Sequence, residues 1–160
     1  MTDIRAEEYW AKKGDVNLFV FRKRQAEATG QPVLFLVHGS SFCGPTGFDL
    51  QVPGRDDYSL MERFARAGFD VWTMDHEGYG RSSRTDGNSD IASGVEDLKA
   101  GFAIVERETG AASALFYGSS SGAIRAAAFA EARPDVVTRL VLDAFVWTGK
   151  DAPTLIKRAE

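Results

Sequence analysis

Residues 114–117 are a short apolar, strand-like run that passes directly into Gly118-Ser119-Ser120-Ser121-Gly122, and an alanine-rich helical pattern over 121–132 follows at once. A strand joined to a helix through one sharp turn constrains this chain more than any other feature. Side chains flanking such a turn would collide with the neighbouring strand and helix, and Gly118 and Gly122 have none. Ser120, at the centre, then projects its hydroxyl from the top of the sheet. The backbone N–H of Ser121 lies at a helix N-terminus, where the macrodipole favours negative charge. A presented hydroxyl beside an anion-favouring amide is what attack on a carbonyl requires. Serine-glycine runs are common turn material, and the pentapeptide alone is a weak signal. Its strand-and-helix setting makes Ser120 the candidate nucleophile and Ser121 a candidate oxyanion donor.

The rest of the chain alternates apolar runs with amphipathic helical patterns. Residues 16–22 read as a strand, paired with an earlier one near 9–12 through a turn at Gly14 and Asp15. The continuous apolar run 33–37 reads as a strand buried on both faces, as in a parallel sheet. A helix is expected over 59–67, with Ser59 and Glu62 as a capping box and Gly68 as the stop. A strand over 70–74 follows. Ser93 with Glu96 repeats the capping-box signature, and Val95, Leu98, Phe102 and Val105 share one helical face, closed by Gly110. Residues 140–145 read as the last parallel-type strand. This pattern predicts an α/β fold, a mostly parallel sheet flanked by helices. The connections 39–58 and 78–90 are long and polar enough to be functional loops.

Length and charge remove other classes. The chain has 160 residues, a formal net charge of −4 and 44% hydrophobic residues, which suits one globular domain. Mild acidity offers no footprint for nucleic acid or an anionic membrane. One cysteine, Cys43, precludes an internal disulfide, and with two histidines it makes a structural zinc site implausible. The polar first residues do not read as a secretory signal, and no apolar run is long enough for a bilayer, so a cytoplasmic location is expected. Gly78-x-Gly80 is not a dinucleotide fingerprint, since Ser83 stands at the third glycine position. Cys43 has no visible activating setting. Trp10, Trp72 and Trp147 read as packing residues.

A second motif, His38-Gly39-Ser40-Ser41, directly follows the first buried strand, and a third, Asp75-His76-Glu77-Gly78-Tyr79-Gly80-Arg81-Ser82-Ser83, follows the next. With the elbow at Ser120, these resemble, in order, the motifs of the α/β-hydrolase superfamily in its serine-nucleophile branch. The resemblance runs from about Tyr9 to Trp147. It implies that an N–H of Ser40 or Ser41 joins that of Ser121 in an oxyanion hole, and that His38 braces the loop. It implies a serine hydrolase cleaving a small-molecule carboxylic ester, with no metal or organic cofactor. Lactonase, thioesterase or C–C bond hydrolase chemistry fits the same motifs, because fold does not decide chemistry. A serine at the elbow argues against the aspartate-nucleophile epoxide hydrolases and haloalkane dehalogenases.

The general base is the gap in this reading. The family order is serine, acid, histidine, yet no histidine follows Ser120. The carboxylates after it are Glu131, Asp135, Asp143, Asp151 and Glu160, of which Asp143 lies nearest a strand end. His76 is a weaker candidate for the base, since the family pattern has no catalytic residue there. About six strands are legible against the family's eight, and residues 156–160 read as the interior of a helix. The expectation is the N-terminal portion of a hydrolase core, with cap, last strands, acid and base elsewhere, and the last strand left as an apolar edge. A complementing chain, a homo-oligomer or a catalytically inactive binding module are the alternatives. Arg81 and Arg125 read as solvated surface charges more readily than as contacts to an anionic substrate.

Overall fold

The computed structural model describes residues 3–55, 57–87 and 89–145. Six strands form one sheet in the order β1-β2-β4-β3-β5-β6. They are β1 (Ile4–Lys13), β2 (Val16–Gln25), β3 (Val33–Val37), β4 (Asp70–Met74), β5 (Ala114–Ser119) and β6 (Val137–Asp143). The hairpin β1–β2 is antiparallel and joins β4 antiparallel, while β4, β3, β5 and β6 run parallel. Among the described residues four helices accompany the sheet: α1 (Gly44–Phe48), α2 (Leu60–Arg66), α3 (Ile91–Thr109) and α4 (Ser121–Ala132).

Alternating side chains of the central strands feed two cores. Phe35, Val37, Trp72, Met74 and Phe116 face α3 and α4, meeting Leu98, Phe102, Ala126 and Phe129. Leu34, Leu36 and Val71 face the other way, onto Phe48, Met61 and Ala65 of α1 and α2. Phe116 stacks on Phe35 at 5.4 Å and meets Phe129 at 5.1 Å between ring centroids. Both faces of β3 and β4 are buried, as the unbroken apolar run of β3 predicts; in β4 the buried Asp70 pairs with Arg22 and the Thr73 hydroxyl donates to the Leu36 carbonyl.

Several expectations change. β1 begins at Ile4, well before residue 9, and pairs with β2 over its whole length. Its charged first half does not read as a strand, but an edge strand tolerates charge, and Glu7 there pairs with Arg5, Arg22 and Arg24. Helix α3 is capped by Asp90, not by a Ser93–Glu96 box: the Asp90 carboxylate accepts the N–H of Ser93 at 2.8 Å. Ser93 instead receives Lys13 Nζ, and Glu96 pairs with Lys99. β6 starts at Val137 and stops at Asp143 rather than spanning 140–145, because Ala144 turns into the left-handed region with φ 50°. Its apolar residues stand at an edge, as expected. Among the described residues β6 is the terminal strand, and Val141 and Leu142 are 55% and 37% exposed. Finally, the loop 39–58 contains the short helix α1. The box at Ser59 is half formed: Ser59 Oγ accepts the N–H of Glu62 at 3.0 Å, while the Glu62 carboxylate turns to Lys23 and Arg66. Gly110 ends α3 with φ 72°, as expected. Trp147, Asp151, Glu160 and residues 156–160 lie outside the described residues.

Candidate active site

Ser120 stands between β5 and α4 with φ 57° and ψ −125°. A non-glycine residue in this region is strained, by about 1–3 kcal/mol, and persists only where its surroundings enforce it. They do so here by backbone crowding. A Cβ on Gly122 would lie 2.5 Å from the His38 carbonyl oxygen, and one on Gly118 would lie 2.5 Å from the Gly122 carbonyl oxygen. The Ser120 N–H donates to the Asp143 carbonyl at 2.9 Å, and the Ser120 carbonyl accepts the N–H of Ala123 at 3.0 Å. The turn is thus clamped by β3, β6 and the first turn of α4, and the Ser120 side chain faces solvent.

The loop after β3 comes to the same point. A Cβ on Gly39 would sit 3.0 Å from Ser120 Cβ and 3.5 Å from Ser120 Oγ, so only glycine lets the loop approach this closely. His38, 1% exposed, holds its first peptide. Its Nε2 accepts the backbone N–H of His76 at 3.0 Å, which leaves Nδ1 as the protonated nitrogen facing the Gly39 carbonyl at 2.7 Å. A carbonyl and the following N–H point in opposite directions across one peptide plane. The His38–Gly39 bond therefore orients the N–H of Ser40. Burial, reinforced by the neighbouring His76 and Arg125, pushes His38 down to about 3, so it stays neutral. The expected brace is present in atomic detail. Ser40 and Ser41 are exposed in the loop beside the elbow, and Ser121 opens α4.

His76 is fully buried, and its Nδ1 donates to Asp97 at 3.1 Å. Burial holds it below its ordinary value despite Asp97. Asp97 also receives Lys13 Nζ at 2.5 Å and the N–H of Glu77 at 3.0 Å. Burial opposes the charge on Asp97, but His76 and Lys13 outweigh it and hold the carboxyl low. This chain of charge links hairpin, α3 and the His38 brace, and His76 is sealed inside it, away from the solvent that Ser120 faces. Asp143 lies next to the elbow, yet its carboxylate is occupied by the Tyr117 hydroxyl at 2.7 Å and the Ser119 hydroxyl at 3.2 Å. Burial and Asp143 together push the Tyr117 phenol up to about 12.

The two arginines differ from each other. Arg81 is exposed, pairs with Glu8 at 2.8 Å and covers the Phe19 ring at 3.9 Å. Arg125 is not a solvated charge: it is 2% exposed, and its Nη2 donates to the Ser89 carbonyl at 2.8 Å. Its helix lies against α3 where Gly94 leaves room, a Cβ there meeting Arg125 Cδ at 2.6 Å. An arginine spaced among alanines on a helix carries no sequence mark of burial; only the packing of α3 on α4 determines it. A cleft of about 480 Å3 opens at the opposite end of the sheet beside Arg22, Asp70 and Gly110, remote from the elbow. Its Arg22 and Asp70 are already bound to each other at 2.6 Å. Among the described residues no cluster of His, Cys, Asp and Glu has the makings of a metal site, and no helix is long and apolar enough to cross a membrane.

Solved structures share the fold of this chain. A CIB-like hydrolase from Thermoplasma acidophilum superposes with a TM-score of 0.65 at 19% identity, over 86% of this chain and 62% of that one. The thioesterase domain from the curacin biosynthetic pathway gives 0.63 at 22% identity, over 96% and 50%. Epoxide hydrolase A from Mycobacterium thermoresistibile gives 0.63 at 25% identity, over 85% and 38%. The chain spans about half the length of these structures. No curated protein matches the sequence. The family model of the serine aminopeptidases, S33, matches residues 54–159, a stretch that holds the elbow and the whole Asp75–Ser83 segment. With that match over most of its length and the hydrolase sheet beneath it, the chain belongs to the serine aminopeptidase (S33) family of the α/β-hydrolase superfamily.

Proposed function

We propose that the protein is a serine hydrolase that cleaves a carboxylic ester through an acyl-enzyme on Ser120. The observation that carries this is the strained, glycine-clamped Ser120, whose hydroxyl faces solvent beside Gly39. Strain of this kind is retained where a function needs it. Ser120 Oγ attacks the ester carbonyl carbon as its proton passes to a base. The carbonyl electron pair moves onto oxygen, where the N–H of Ser121 and that of Ser40 or Ser41 stabilise it. Each such donor is worth about 3–4 kcal/mol of barrier. Collapse expels the alcohol, which takes the proton back, and water repeats the sequence to release the acid.

The base is a histidine outside these 160 residues, supplied by the rest of a longer chain or by a complementing one. Both histidines here are committed elsewhere, His38 with two nitrogens bonded and His76 sealed against Asp97. Thioester, lactone or C–C substrates are variants of the same chemistry; one structural neighbour is a thioesterase domain. Epoxide hydrolysis is disfavoured by serine at the elbow. The engaged histidines also favour a second reading, a hydrolase-like binding module without turnover.

Intact mass after fluorophosphonate treatment separates the two. One phosphonyl adduct on the wild type, absent from Ser120→Ala, is the expected result. A folded protein that includes the base and takes no adduct, or one still labelled after the substitution, refutes nucleophilic Ser120.

A further inference from the structure

The segment from Asp75 to Ser82 takes no part in the proposed chemistry, yet it is built around one buried carboxylate. Asp75, directly after β4, is 1% exposed. Its Oδ1 accepts the N–H of Gly44 at 2.8 Å, and its Oδ2 accepts the N–H of Arg81 at 2.9 Å. One side chain therefore holds backbone from two loops. The Cys43 thiol lies beside it and favours its charged form. Gly80 closes over the carboxylate with φ 48°: a Cβ there would overlap Asp75 Oδ2 and lie 2.9 Å from Cys43 Cβ. The Ser82 hydroxyl donates to the Asp75 carbonyl at 2.5 Å and accepts the N–H of Phe19 at 2.9 Å, fastening the turn to β2.

Gly44 is also where the loop beside Ser120 ends. His38 pins that loop at its start and Asp75 pins it at its finish, with exposed Ser40 and Ser41 between. We infer that Asp75 is a positioning residue for the oxyanion loop, setting through Gly44 where the Ser40 and Ser41 amides stand relative to Ser120. This rests on the reading of Ser120 as nucleophile.

Energetics separate this role from simple support of the fold. Burial pushes the Asp75 carboxyl up, against the pull of the Arg81 and Gly44 amides, the Cys43 thiol and the Arg81 charge. With the folded value above the unfolded one, the native state holds more protons, so stability declines as pH rises through that window. Ionised Asp75 thus opposes folding while it ties the two loops. Arg81 and Cys43 are the titratable groups facing it, and Arg81 is drawn outward by Glu8.

Asp75→Asn keeps the shape and replaces one acceptor oxygen by NH2; glutamate has no room beneath Gly80. Amide hydrogen exchange should speed up about tenfold at Ser40, Ser41, Gly44 and Arg81, the equivalent of one charge-assisted hydrogen bond. The β3 and β5 amides should not change, and the melting temperature at pH 7 should not fall. Fluorophosphonate labelling of Ser120 should slow by a similar factor. In the wild type, loop protection should weaken as acid protonates Asp75, and Asp75→Asn should lack that step. Loop exchange and labelling equal to wild type would overturn the inference, as would a global rise in exchange with a lower melting temperature. Should wild-type Ser120 take no label, the nucleophile reading fails by itself, and exchange at Ser40 to Gly44 still decides the role of Asp75.

Discussion

Two loops meet at Ser120, and they are held in different ways. The elbow between β5 and α4 is enforced by contacts at van der Waals limits: Gly118 and Gly122 sit where a Cβ would strike backbone atoms of β3 and α4. The loop after β3 is exposed along Ser40 and Ser41 and is held only at its ends, by His38 and Asp75. Close-packed backbone yields little, whereas a loop tied by a few hydrogen bonds is adjustable. Ser120, the proposed nucleophile, is thus presented by packing, and the loop with the proposed oxyanion donors by a polar frame reaching from the hairpin through Lys13, Asp97 and His76.

If this contrast holds, the largest stability loss comes from the elbow. Gly122→Ala should destabilise the fold by about 3 kcal/mol or more, since its methyl meets carbonyl oxygens that cannot withdraw. A urea midpoint equal to wild type would show that the elbow is not tight. Acid tests the polar frame next. His38 falls from an ordinary 6.5 to about 3 on folding, so its stabilisation is complete above pH 6.5 and is lost as pH falls toward 3. Between pH 7 and 5 that loss is about 2 kcal/mol, with His76 acting in the same direction. His38→Gln should flatten this part of the pH dependence of chemical denaturation, and an unchanged profile would remove His38 as the source.

The loop itself should show a smaller effect on stability and a larger one on reactivity. Gly39→Ala places a methyl 3.0 Å from the Ser119 carbonyl oxygen and Ser120 Cβ. About 1 kcal/mol of stability is expected to be lost, with a marked slowing of fluorophosphonate labelling; equal losses in both would erase the distinction between the loops. The smallest effect is at the rim. Asp143→Ala frees the Tyr117 phenol, which should titrate closer to 10 than to its present value near 12 by ultraviolet absorbance, with stability changed by less than about 0.5 kcal/mol. A phenol that stays near 12 would assign the shift to burial alone.

Much of this was legible because local rules and global packing agree. The runs 33–37 and 70–74 appear as strands with those bounds, the first because burial on both faces demands an unbroken apolar sequence. Gly118-Ser119-Ser120-Ser121-Gly122 announces its turn because only glycine fits at both ends. Where environment is decided from a distance, the sequence was silent. The charged start of β1 is a strand because β2 and its arginines lie beside it. Arg125 is buried because α3 packs on α4 at Gly94, a contact that no spacing within α4 records.

The sequence by itself determined the parallel α/β order and the identity of the presented serine, since both follow from periodicity and from the lack of a side chain at two glycines. Tertiary structure alone decided what surrounds that serine. Arg125 is buried, His76 is sealed and Asp75 reaches Gly44 across 31 positions of sequence. Such pairings depend on which loops the sheet order brings together, and no local pattern of residues records that order.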